Sequence, residues 1–185
     1  MCSINKNSSI NIEAMLEKIY LIFMGVLPMK IINRAKKKYL SFTLKKYVYI
    51  DKTVTFGSNC IIYGAKNNVL IGENTYVNEA QIFAGDKSIV KIGENCSIGY
   101  RVSIKSKTHG LSKVYHDKKG NHDVIEKDII IGDRCWIGDG VFIREGVTLG
   151  EDVIVGANSV VTKSFPKKVI IGGVPAKVLK IRDLN

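Results

Sequence analysis

Several things are scarce in this chain, and each scarcity narrows its class. No apolar run is long enough to cross a bilayer; the longest, residues 19–29, falls short of the ~20 residues a spanning helix needs. The four cysteines form no CxxC pair and no Cys/His spacing, which argues against zinc or redox chemistry. No secretory signal is evident, so the expected compartment is the reducing cytoplasm or the inner face of the membrane. There are only three prolines against 17 glycines, a balance that suits many tight turns. Acidic residues number 17 against 28 basic ones, for a net charge of +11. Such a charge attracts phosphates, nucleic acid or an anionic membrane alike. No recognition module or interleaved aromatic pattern supports nucleic acid.

What is present is a period of six. Ile131, Ile137, Ile143, Leu149, Val155 and Val161 recur at that interval, and Gly132, Gly138, Gly150 and Gly156 follow four of them. Cys135, Val141, Val147, Val153 and Ser159 occupy a smaller slot two positions before the next aliphatic. Neither a helix nor a simple strand repeats at six. A fixed short period signals a solenoid, in which each unit buries its apolar side by stacking on its neighbours. The aliphatics and the small residues are expected to point inward, with the glycines supplying the backbone freedom of the corners. Three hexads make one triangular coil, so that Ile131 stacks under Leu149.

The same phase extends backwards. Ile50, Phe56 and Ile62 form a first coil; Ile71, Val77 and Phe83 a second; Ile92, Ile98 and Ile104 a third. Short insertions separate these coils, one of them around Ala65–Asn68. Between Ile104 and Ile131 the chain makes a longer, aperiodic, polar excursion, expected to be a loop over residues 110–128. All three histidines lie here, and His109 stands where the loop leaves the coil. An imidazole so placed can accept a proton near neutral pH. The spacing of His109, His116 and His122 matches no compact metal motif, so no metal site is expected. Cys60, Cys96 and Cys135 each lie four residues after a hexad aliphatic and read as small buried residues. Trp136, the only tryptophan, takes an outward slot and is a candidate wall of a binding groove.

Residues 1–48 differ. A helix is expected over 13–27, ended by Pro28, followed by a basic segment from Lys30 to Lys46. This part reads as a cap on the solenoid end, or as a contact with anionic lipid.

These segments together resemble the hexapeptide-repeat acyltransferases, and among them the bacterial O-acetyltransferases of sugars and surface polysaccharides. The resemblance is carried by IGENTYVN (71–78), IGENCSIGYRVSIKSKTHG (92–110), KDIIIGDRCWIGDGVFIREGVTLGEDVIVGANSVVTKSF (127–165) and GGVPAK (172–177). It implies an all-β chain: a left-handed parallel β-helix of about five coils over 49–166, with a helical N-terminal cap and a C-terminal tail over 167–185. It implies acetyl-CoA as donor, a homotrimer with sites between subunits, and His109 as general base. By position, Asn78 resembles an acceptor-binding residue, and Trp136 resembles one that lines the donor or acceptor groove. Ala157, Thr162, Lys163, Lys177 and Lys180 resemble coenzyme contacts, the last two as point charges for its phosphates. The sequence departs from the family's common pattern at Gly110, Cys135 and Gly173. N-acetylation of an amino sugar or nucleotide-sugar, a non-catalytic trimeric β-helix and a zinc-dependent relative remain as alternatives.

Overall fold

A computed structural model describes residues 35, 49–57, 59–65, 67–110 and 123–183. Contacts divide the chain into two compact units, Met1–Lys36 and Lys37–Asn185. The expected N-terminal helix and all the basic positions from Lys30 to Lys46 lie outside the described residues, as do His116 and His122. Among the described residues no helix is long and apolar enough to cross a membrane.

The second unit is a three-sided parallel β-helix. Its first face stacks Tyr49–Ile50, Val69–Ile71, Val90–Ile92, Ile129–Ile131 and Thr148–Leu149. The second face stacks Thr55–Phe56, Tyr76–Val77, Ser97–Ile98, Trp136–Ile137, Ile154–Val155 and Val169–Gly172, and Lys177–Ile181 adds an antiparallel strand at its end. The third face stacks Ile61–Tyr63, Ala80–Phe83, Val102–Lys105, Phe142–Ile143 and Val160–Val161. Register places Ile50, Ile71, Ile92, Ile131 and Leu149 in one column, as the period of six predicts. Ile92, Ile98, Ile104, Ile131, Ile137 and Ile143 are all at most 1% exposed. The short strands contribute little alone; burial of these stacked aliphatics, at roughly 25 cal/mol per Å² of apolar surface, drives the coil to close.

The structure corrects the expected second coil. Ile82, not Phe83, pairs with Ile62 and Ile104 and is fully buried. The step from Val77 to Ile82 is one residue short of a hexad, so the corner holding Asn78 is tighter than the others. Phe83 is turned outward, with its ring 6.0 Å from that of Tyr63. The coil also continues past Val161: Leu149 bridges to Phe165, and Val155 pairs with a fully buried Ile171.

The glycines serve a different purpose from the one expected. A Cβ at Gly132 would lie 2.7 Å from the Glu151 nitrogen, and one at Gly138 would lie 2.8 Å from the Ala157 nitrogen. Stacked corners approach too closely there for any side chain. Left-handed φ falls instead three residues after the aliphatic, at Asn59, Asn74, Asn95, Arg101, Arg134, Asp152, Asn158 and Lys168, and at Gly140 and Gly146. Asn and Asp tolerate that region better than most residues do.

The cysteines are buried as expected, but in two columns. Cys96 and Cys135 stack between Thr75 and Val153 at the edge of the second face, whereas Cys60 shares the third-face column with Ala80 and Val102. Each thiol of the first pair donates to a backbone carbonyl: Cys96 to Gly132 and Cys135 to Gly150, both at 3.2 Å. A hydrogen bond with the Cys96 sulfur, together with burial, pushes the Cys135 thiol up, so it stays protonated.

Candidate functional site

The coil departs from its plan chiefly at one corner, where the third face turns into the first. Three insertions open there and pile on one another. Residues 64–68 form the first and 84–88 the second. The third is a hairpin in which Lys107–His109 pairs antiparallel with Val124–Glu126. Asn68 Nδ2 donates to the Gly85 carbonyl at 2.7 Å, linking the first insertion to the second. The Lys87 amide donates to Glu126 Oε2 at 2.7 Å, and the Ile89 amide to Asp128 Oδ1 at 2.9 Å, linking the second to the hairpin. Lys107 Nζ bridges Asp86 at 3.0 Å and Glu126 at 3.2 Å. The Lys87 amide and Lys107 hold the Glu126 carboxyl below its usual range. Beneath them Ser106, fully buried, accepts the Gly85 amide at 3.0 Å and bonds the Ser88 hydroxyl at 2.8 Å. The root of the hairpin is thus fixed by polar groups whose partners are all in place.

His109 ends the outgoing strand, faces Val124 across the hairpin, and is exposed. The next residue explains the Gly110 departure. Its amide donates to the Asp123 carbonyl at 2.8 Å, and a Cβ there would lie 2.1 Å from Asp123 Oδ2. The Asp123 carboxylate therefore rests against the backbone beside His109. The sequence reading passed over Asp123; its one signal was an acid on the return of a loop that leaves the coil at a histidine.

The remaining candidates divide between two corners. Thr162 and Lys163 follow the last third-face strand, so they share the hairpin's corner two rungs further along, and both are exposed. Lys163 Nζ lies 5.6 Å above the Phe165 ring. Asn78 and Ala157 lie instead at the corner between the second and third faces. Asn78 is half-buried and its amide donates to the Ile98 carbonyl at 3.0 Å, while Ala157 is exposed. Trp136 stands outward on the second face between Ser97 and Ile154, 55% exposed. It is therefore not beside the hairpin of its own chain. Lys177 and Lys180 are exposed on the terminal antiparallel strand of that same face. Within one chain, His109 and the Asn78–Trp136–Ala157 group lie at opposite edges of the third face. Among the described residues no group of three His, Cys, Asp or Glu could hold a metal ion.

Residues 128–163 match the bacterial transferase hexapeptide family, described as six repeats. A maltose O-acetyltransferase from Clostridium difficile 630 superposes with a TM-score of 0.70 at 25% identity, over 92% of this chain and 86% of that one. Residues 128–163 thus carry the transferase hexapeptide repeat on the fold of that acetyltransferase. A hexapeptide-repeat acetyltransferase from Vibrio cholerae O1 biovar eltor, complexed with acetyl coenzyme A, aligns over 95% of this chain and 91% of its own, with a TM-score of 0.67 and 25% identity. A galactoside acetyltransferase in complex with coenzyme A aligns over 92% and 80%, with a TM-score of 0.63 and 27% identity. No curated protein matches the sequence.

One pair was not foreseen from sequence. Arg144 and Glu145 follow the third-face strand of the fourth coil, between the hairpin rung and the Thr162–Lys163 rung. Glu145 is 8% exposed, although the matching positions Glu94, Asp139, Glu151 and Ala157 are exposed. Arg144 Nε donates to its Oε1 at 3.0 Å, and Nη2 donates to the same oxygen.

Proposed function

We propose that this protein transfers the acetyl group of acetyl-CoA directly to a hydroxyl of a sugar or surface polysaccharide, with His109 as general base. The observation that carries the reading is the placement of His109. An exposed imidazole stands on a short hairpin whose root is locked into the coil by Ser106, Lys107 and Glu126. Neutral His109 would take the acceptor's hydroxyl proton as that oxygen attacks the thioester carbonyl. The tetrahedral intermediate would then expel the thiolate, which recovers the proton from the imidazolium. A backbone N–H of a neighbouring rung would meet the oxyanion. No nucleophile on the chain is required. Asp123, against the backbone beside His109, would hold the hairpin tip and orient the ring. The exposed cations Lys163, Lys177 and Lys180 suit the coenzyme's phosphates, and Thr162 and Ala157 would line its path.

The two-corner arrangement favours a homotrimer. A ring of three copies would set the third corner of one, with His109, Thr162 and Lys163, against the Asn78–Trp136–Ala157 side of the next. Both substrates would share that groove, and positioning them would supply much of the rate. Such an enzyme would work in the cytoplasm, or at the inner face of the membrane if Lys30–Lys46 meets anionic lipid. The test is thiol release from acetyl-CoA across a panel of sugars, glycans and amino sugars. Release that depends on a hydroxyl acceptor is the expected result. Release only with amine acceptors would move the reading to N-acetylation. No acetyl-CoA binding by calorimetry would sink it.

A further inference from the structure

We infer that Arg144 recognises an acidic group on the acceptor, so that the substrate is an anionic oligosaccharide rather than a neutral sugar. The inference rests on the acyl-transfer reading above. It starts from the pairing of Arg144 with Glu145. The Glu145 side chain is 4% exposed and the Arg144 side chain 43%. A buried carboxylate therefore holds one edge of a half-exposed guanidinium, through Nε and Nη2. The Nη1 edge has no bond among the described residues, and the side chain follows a third-face strand at the corner. A planar guanidinium fixed in this way presents paired donors to a carboxylate or phosphate.

Its neighbours add positive charge. One rung below, Lys105 lies over the Phe83 ring at 5.5 Å; one rung above, Lys163 lies over Phe165. Their backbones lie on successive rungs about 5 Å apart, Lys105 in register with Arg144 and Lys163 one residue further along. The acids near the hairpin root, Asp86 and Glu126, are already engaged by Lys107. Glu145 is spent on Arg144, and among the described residues no other carboxylate pairs with the guanidinium.

The position favours the acceptor over the donor. Only Ser106 separates Lys105 from the strand that carries His109. That strand puts His109 roughly 10 Å from the root at three extended residues. An anion held at Arg144 would thus belong to a sugar beyond the one whose hydroxyl reacts. Coenzyme phosphates offer the same oxyanion chemistry, and the test separates the two sources.

The experiment compares a uronic-acid oligosaccharide with the same oligosaccharide after carboxyl reduction. Binding is measured by calorimetry without acetyl-CoA, and kcat/KM by thiol release. The wild type is expected to prefer the acidic form, and Arg144→Gln to lower that preference about tenfold, as loss of a charge-assisted hydrogen bond would. Arg144→Lys should recover part of the preference, and the KM for acetyl-CoA should stay within about twofold of wild type. Should Arg144→Gln fail to fold with Glu145 left buried and unpaired, the double variant Arg144→Gln/Glu145→Gln makes the same comparison. A wild type that binds both glycans alike, or neither, overturns the inference. So does a loss that falls on acetyl-CoA, which would make the coenzyme phosphates the ligand. Arg144-dependent binding of the acidic glycan without any thiol release would uphold this inference while sinking the acyl-transfer reading.

Discussion

The later coils and the earlier coils follow one rule with different strictness. From Ile131 to Val161 every inward step is six residues and the chain never leaves the prism. From Ile50 to Ile104 the same inward columns persist, but residues are added at the corner between the third and first faces, and one is lost at Asn78. The inward columns are contiguous through both regions, so the core tolerates insertion only where the chain turns. All three insertions share one corner and brace each other. The last of them begins and ends as a paired hairpin, and it is this irregular region that carries His109.

Five substitutions test that contrast. The largest effect is expected outside the coil's own architecture. His109→Ala should lower kcat at least ~100-fold and leave the thermal melt unchanged; a folded variant with near-normal turnover would remove His109 from the chemistry. Within the regular coils, Ile143→Ala should cost about 3–4 kcal/mol in chemical denaturation, because stacked neighbours cannot collapse into the gap. Gly132→Ala should cost about 2 kcal/mol, since its Cβ would meet backbone at 2.7 Å. Gly156→Ala, whose nearest contact would be 3.5 Å, should be nearly neutral. Equal costs for the two glycines would show that conformational freedom, not close approach, fixes them.

A modest effect concerns charge at the corner between the first and second faces. Arg134 grips Asp152 through Nε and Nη2, both at 3.0 Å, and holds that carboxyl below its usual range. A depressed folded pKa gives stability that is present above the unfolded value of ~3.9 and is lost as pH falls through the folded one. Asp152→Asn keeps a residue that accepts left-handed φ but removes the charge. Its melting temperature should lie about 3 °C below wild type at pH 7 and converge with it at acid pH. A gap that persists unchanged at pH 2 would assign the loss to packing.

The inward columns were legible because a period of six survives wherever the core is continuous. Ile82 was misplaced by one because Phe83 is equally apolar and the shortened step at Asn78 breaks the count. The glycine pattern was visible but its cause was not, since closeness between rungs is a property of the stack and not of a single turn. The asparagines at 59, 74, 95 and 158 carried the left-handed signal that the glycines were credited with. His109 stands out as a candidate because periodicity stops there. Asp123 and the Arg144–Glu145 pair could not, because each gains its setting only from a neighbouring rung.

The hairpin leaves and rejoins the coil within a single rung: the Lys127 amide donates to the Ser106 carbonyl at 3.0 Å. Its length is therefore uncoupled from the pitch of the solenoid, and residues gained or lost at its tip displace no column of the core. Such an appendage can change under selection while the scaffold stays still. A chimaera with more or fewer residues between Gly110 and Asp123 should fold as the parent does, with an unchanged thermal melt.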